Sequence, residues 1–139
     1  MRQAMAANAL SARSGPQPPA PSVVLVDDDA AVLSSLKFAL EMEGLRVMAY
    51  GSSAELLSAK PSDIGCLVLD YHLPGMDGVE LLQNLRRAGV SAPAIVITSA
   101  PSKLLRRRLL AEGVAIVEKP LLGSALLDAI RDAVETAAS

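Results

Sequence analysis

Three aspartates, Asp27, Asp28 and Asp29, follow the apolar run VVLV (23–26), and a lone Asp70 follows LVL (67–69). Thr98 closes AIVIT (94–98), and Glu118-Lys119-Pro120 closes AIVE (115–118). Brought to one place, these residues form a cluster of three or four carboxylates with one hydroxyl and one ammonium. Clustered acids repel: two unit charges about 4 Å apart cost roughly 4 kcal/mol at an effective dielectric near 20. Either their pKa values rise or a cation sits among them. The available ligands are all oxygen, which selects a hard ion. Magnesium fits best, because it takes one or two carboxylates, keeps several waters and accepts phosphate oxygens; manganese is the alternative. A carboxylate beside such an ion is a nucleophile toward phosphoryl groups, and the ion neutralises and orients the group in transit. Asp70 is the expected nucleophile, with the Thr98 hydroxyl and the Lys119 ammonium each able to pair with a phosphoryl oxygen.

The surrounding pattern explains how residues so far apart in the chain meet. From Val23 onward, short apolar runs alternate with helical periodicity. Asp28 and Asp29 precede AAVLSSLKFALEME, where Leu33, Leu36 and Leu40 repeat at helical spacing, and Gly44 is the expected stop. LRVMAY (45–50) alternates as a less covered strand would. Ser52 and Glu55 have capping-box spacing and open a short helix. CLVLD is the third strand, Asp77 caps a helix through GVELLQNLRRAG, and SKLLRRRLLAEG is a fourth helix. SALLDAIRDAVETA places Leu126, Ala129, Ile130 and Ala133 on one face, with Arg131 and Asp132 facing away. Five rounds of strand then helix predict an α/β fold, a parallel sheet with helices on both faces. The runs VVLV, CLVL and AIVI suit central strands buried on both sides, and LRVMAY suits an edge. Right-handed crossovers then favour an open, doubly wound, five-stranded sheet in the order 2-1-3-4-5. In that order strands 1 and 3 are neighbours where strand order reverses, which brings Asp28 and Asp70 together at the carboxyl edge.

The 139 residues suit one domain, and a core that is aliphatic, since hydrophobic residues make up 51% and aromatics 2%. A net charge of −2 carries no basic excess, so nothing asks for nucleic acid or an acidic membrane as partner. A single cysteine, Cys66, excludes an intrachain disulfide and a cysteine-based metal site, fits a reducing cytoplasmic setting and reads as core packing. No apolar run approaches the roughly 20 residues needed to cross a bilayer. Residues 1–22, rich in Ala, Ser and Pro and free of acids, read as a disordered tail rather than a targeting peptide; the folded domain is expected over 23–137.

VDDD, LVLDYHLPGMDG, IVITSA and VEKP, in this order and spacing, resemble the response-regulator receiver domain of bacterial two-component signalling. EMEGLRVMAYGSSAELL and VEKP look most like receivers of helix-turn-helix regulators. The resemblance covers about Ser22 to Ala137. It implies that Asp70 is the phosphoacceptor. It makes Asp28 a direct magnesium ligand, Asp27 the acid that holds metal-bound water, and the backbone carbonyl of His72 a further ligand. Thr98 matches the switch hydroxyl and Lys119 the family's lysine. The implied donor is the phosphohistidine of a sensor histidine kinase, a phosphotransfer protein, or a small phosphodonor such as acetyl phosphate. The implied readout is the face made by the fourth helix, fifth strand and fifth helix, acting on an output protein, an output domain or a second copy. The resemblance implies no enzyme beyond transfer to and loss from Asp70 itself.

Departures from the family pattern are local. Ile116 stands where the family often has the aromatic partner of the switch residue. Gly113–Lys119 is one residue shorter than usual. His72 and Ala100 occupy positions that in the family influence how fast the phosphoryl group is lost. Arg106, Arg107 and Arg108 read as a solvated face or as a docking patch for an acidic partner. Two other classes fit less well. A haloacid-dehalogenase-like phosphatase wants an acid two residues after the nucleophile, where this chain has His72. A flavodoxin-like domain wants a Gly/Ser/Thr-rich phosphate loop, which VDDDA lacks. A receiver fold that binds a partner without phosphorylation is the remaining alternative. No output domain follows Ser139, which fits either a single-domain regulator or a piece of a longer one.

Overall fold

Short aliphatic runs, too brief for helices and covered on both faces, place three strands at the centre of the molecule. The computed structural model describes residues 21–121 and 123–138. The central strands are β1 (Ser22–Val26), β3 (Ile64–Asp70) and β4 (Ala94–Thr98), flanked by β2 (Arg46–Tyr50) and β5 (Ala115–Glu118). The sheet is parallel throughout, in the order β2-β1-β3-β4-β5. This is the expected order, with the LRVMAY strand at one edge.

The helices are α1 (Ala30–Met42), α2 (Ser53–Ala59), α3 (Gly78–Arg87), α4 (Lys103–Ala111) and α5 (Ala125–Ala138). Side chains alternate across a strand, so each central strand feeds two cores. Val24, Val26, Leu67, Leu69 and Val96 join Leu81, Leu82 and Leu109 on one face. Val23, Leu25, Val68, Ile95 and Ile97 join Leu40, Leu126 and Ile130 on the other. Cys66 lies in this second core, and burial pushes its thiol up to about 12. Among the described residues, no helix is long and apolar enough to cross a membrane.

Local chemistry starts the helices. The Asp29 carboxylate accepts the N–H groups of Ala31 and Val32 and caps α1. Ser52 accepts from Glu55 N, but Glu55 reaches past Ser52 to the N–H of Gly51, so the box expected there is offset by one residue. The complete reciprocal box forms at α3 instead, between Asp77 and Glu80. Asp77→Ala is therefore expected to destabilise the protein by about 1 kcal/mol, read as a lower urea midpoint at constant slope.

Boundaries differ in small ways. β1 begins at Ser22, whose N–H donates to Asp63 O at 2.8 Å, one residue before the expected run. β3 starts at Ile64, two residues before CLVLD, with a register shift beside Ser22 and Val23. The rest of the expected tail lies outside the described residues. The shortened segment into β5 closes normally. Gly113 takes φ +72°, a value few side chains tolerate, and Val114 N then reaches Leu109 O at 2.8 Å.

Candidate functional site

β1 and β3 run side by side, with Val26 in register with Leu69. Asp27 and Asp70 therefore stand close together at the carboxyl edge of the sheet. Each strand end stays tied to its neighbour: Asp27 N donates to Tyr50 O at 3.2 Å, Tyr71 N to Ile97 O at 2.8 Å, and Lys119 N to Thr98 O at 2.9 Å. The backbone is thus braced from both sides at the point where the polar groups emerge.

Asp27 and Asp70 are each only 3% exposed, whereas Asp28 is open to solvent. Carboxylate oxygens of all three lie within 4.8 Å of one another. Lys119 leans over the pair, its Nζ 3.2 Å from Asp70 Oδ2 and 3.9 Å from Asp27 Oδ2. Asp70 Oδ1 accepts the N–H of His72 at 3.2 Å, and Asp27 Oδ1 accepts the N–H of Asp29 at 2.9 Å. Asp27 Oδ2 is buried without a hydrogen bond. Burial pushes the Asp27 carboxyl above its ordinary value, against the N–H of Asp29, which lowers it. The Asp70 and Asp28 charges add to the rise, and Lys119 opposes it.

A buried, unpartnered carboxylate oxygen beside two further acids is costly unless a positive charge or a donor completes it. Lys119 is close to Asp70 but too distant from Asp27 to donate a proper hydrogen bond. The donor set is oxygen only, so the residues present fit a hard divalent cation.

The remaining expected residues fall around this cluster. Thr98 is 1% exposed at the end of β4, and its hydroxyl donates to Ser99 O at 3.3 Å rather than to an acid. Ile116 is partly buried against the same core face as Val96, its register partner. The His72 ring is exposed and meets Tyr71 edge-on, with centroids 4.9 Å apart. Glu118 does not join the acids: it turns to α4 and pairs with Arg106 at 3.1 Å. This also answers part of the arginine run, of which Arg107 and Arg108 are exposed. Asp29, the third acid of the run and the one placed directly before helical periodicity, caps α1.

Residues 23–131 match the response regulator receiver domain. The chain belongs to that family. Receiver domains work in two-component signalling and bind Mg2+ at an acidic pocket, and in this chain the acidic cluster is Asp27, Asp28 and Asp70. Similar proteins include the transcriptional regulatory protein FixJ of Azorhizobium caulinodans, 40% identical over 78% of this chain and 53% of its own length. Another is the C4-dicarboxylate transport transcriptional regulatory protein DctD of Pseudomonas aeruginosa, 35% identical over 81% of this chain and 25% of its own. The receiver therefore spans about half of FixJ and a quarter of DctD. Among solved structures, the response regulator StyR superposes with a TM-score of 0.78 at 32% identity, covering 86% of this chain and 62% of that one. A CheY-like receiver from Methanospirillum hungatei gives 0.76 at 28% identity, covering 85% and 96%.

One positioning residue, Gly78, stands in the sequence only as the start of the helix that Asp77 caps. A Cβ there would lie 2.5 Å from Asp70 O and 3.0 Å from Tyr71 Cα. Its N–H donates to Tyr71 O at 2.9 Å, so the start of α3 presses directly on the backbone that carries Asp70. Gly78→Ala is expected to cost about 2 kcal/mol, by analogy with overpacked cores, measured by urea unfolding. An unchanged midpoint would mean that this contact yields freely.

Proposed function

We propose that this receiver takes a phosphoryl group onto Asp70 and converts it into a rearranged partner-facing surface. The observation that carries the reading is the placement of Lys119 Nζ 3.2 Å from Asp70 Oδ2 within a cluster of three acids. Asp27, Asp28, Asp70 and the backbone carbonyl of His72 are the groups proposed to hold Mg2+, with Mn2+ as a substitute. The bound ion supplies charge neutralisation and alignment for the transferring phosphoryl group.

The chain's own residues do the rest. Asp70, only 3% exposed, presents an oxygen whose direction is restrained by the His72 N–H. That oxygen attacks phosphorus, and the bond to the donor breaks with its electron pair leaving on the donor. Lys119 shifts its ammonium from the free carboxylate to a phosphoryl oxygen, a charge-assisted contact. Thr98 turns its hydroxyl from Ser99 O to another phosphoryl oxygen, drawing the β4–α4 loop inward. Ile116, on the same face as Thr98, repacks as that loop moves. The new dianion is thereby read on the face of α4, β5 and α5. The donor proposed is a sensor histidine kinase, a phosphotransfer protein or a small phosphodonor. The recipients proposed are an output protein or domain, with a phosphorylation-linked homodimer as one form. Receivers of transcriptional regulators are generally not enzymes, and here the chemistry proposed is confined to Asp70.

Intact mass after acetyl phosphate and Mg2+ tests the reading. Wild type is expected to gain one phosphoryl group, ~80 Da, and Asp70→Asn none. Equal gains in both proteins would place the modification elsewhere; no gain in either would leave a receiver fold that acts through binding alone.

A further inference from the structure

A groove of ≈ 700 Å³ runs beside the acidic cluster, between α1 and the turn after β5. Its walls are Ala31, Val32, Leu36, Pro120 and Leu121. Polar groups are few: the serines at 35 and 99, and Lys119, which closes the end nearest Asp70. The Lys119 side chain is 32% exposed, and its Nζ lies 3.2 Å from Asp70 Oδ2. Lys119 is therefore shared between the groove and the acidic cluster. Its volume falls within the range of small-molecule sites, which are mostly apolar with a few placed polar groups. Lys119 is the one charged residue of the lining, and the rest is mainly hydrocarbon. A ligand that matches it has an anionic head on an apolar tail.

We propose that this groove holds the acyl chain of an acyl phosphate, so that the receiver takes its phosphoryl group faster from medium-chain acyl phosphates than from acetyl phosphate. The inference rests on Asp70 being the phosphoacceptor and names the small donor that this chain's surface selects. The head pairs with Lys119 while the tail covers Val32 and Leu36. An Asp70 oxygen attacks phosphorus, the phosphorus–oxygen bond to the acyl group breaks, and the electron pair leaves on the fatty carboxylate. The products are the aspartyl phosphate and a free carboxylate, with no proton, oxidant or further reactant required. Acetyl phosphate supplies the same head and leaving-group chemistry but leaves the hydrocarbon walls uncovered.

The test compares initial rates of mass gain with hexanoyl phosphate and acetyl phosphate at equal, sub-saturating concentrations in Mg2+. Both are aliphatic acyl phosphates of similar intrinsic reactivity, so their ratio reports the tail. In wild type hexanoyl phosphate is expected to react about tenfold faster, as partial burial of four methylenes implies. Val32→Asn, and separately Ala31→Gln at an exposed helical position, are expected to bring the ratio toward one. A binding measurement that needs no turnover accompanies it, using Asp70→Asn and a non-transferable donor analogue. Here 2-oxoheptylphosphonate should shift the amides of Ala31, Val32 and Ser35 at lower concentration than 2-oxopropylphosphonate does. A wild-type ratio near one, or a ratio kept in both variants, overturns the groove assignment while leaving Asp70 as phosphoacceptor. Failure of wild type to gain mass from either donor overturns the Asp70 reading itself, and this inference with it.

Discussion

Replacing Lys119 with methionine is expected to slow phosphoryl uptake at Asp70 by at least about a hundredfold, the scale seen when one preorganised charge-stabilising group is removed. The same change is expected to destabilise the metal-free protein by roughly 2 kcal/mol, below the usual cost of breaking a fully buried pair because Lys119 keeps access to water. Both effects have one source. Asp27 and Asp70 are each 3% exposed, and the ammonium that serves both lies 3.2 Å from one and 3.9 Å from the other. Without it, two carboxylates face each other in a poorly solvated site, and no cation meets the incoming phosphoryl group. Urea unfolding in chelator and intact-mass time courses with acetyl phosphate measure the two effects. The stability loss should shrink in Lys119→Met/Asp27→Asn, since neighbours that share a charge are not additive. A Lys119→Met protein that unfolds and reacts as wild type does would show that the ammonium is incidental to the site.

Asp27→Asn is expected to act with opposite signs depending on Mg2+. In chelator at neutral pH it should raise stability by about 1 kcal/mol, because a buried charge that Lys119 meets only at 3.9 Å, without a hydrogen bond, is replaced by a neutral group of the same shape. In Mg2+ it should lose most of the metal-linked stabilisation, which for wild type is about 2.7 kcal/mol at a hundredfold excess over Kd. The pH dependence follows from the raised pKa of Asp27, set first by its burial. The folded protein holds this proton more tightly than the unfolded chain does. The contribution is therefore fully present below the unfolded value near 3.8 and is lost as pH rises through the higher folded value. Asp27→Asn lacks that fall, so the two stability curves in chelator should diverge as pH climbs from the acid side. Parallel curves across that range would mean that Asp27 is solvated in the folded protein.

Much of the architecture could be read from particular residues. VVLV, CLVL and AIVI are continuous apolar runs because each side of those strands meets a helix layer, and the structure buries them to 3% exposure or less. Leu126 and Ile130 marked the inward face of α5 by their spacing, and they are 6% and 1% exposed. Asp29 and Asp77 announced helix starts through a carboxylate placed just before helical periodicity. Strand order then brought Asp27, Asp28 and Asp70 to one edge, where the structure groups them. Legibility ended at side-chain direction. Glu118 sits at a strand end like Asp70, yet it points to Arg106 on α4 and stays outside the cluster. Glu55 satisfies the spacing of a capping box with Ser52, yet it bonds Gly51.

The sequence by itself determined the alternation of strands and helices, the order of the sheet and the set of polar residues delivered to its carboxyl edge. These follow from periodicity, burial and crossover handedness, which are properties of short stretches and of chirality. Tertiary structure alone decided that Lys119 sits between Asp70 and Asp27, that Asp27 keeps a buried oxygen without a hydrogen bond, and that Gly78 must lack a side chain beside Asp70. Those outcomes depend on loop paths and on contacts between elements distant in the chain, where a displacement of about an ångström makes or breaks a hydrogen bond.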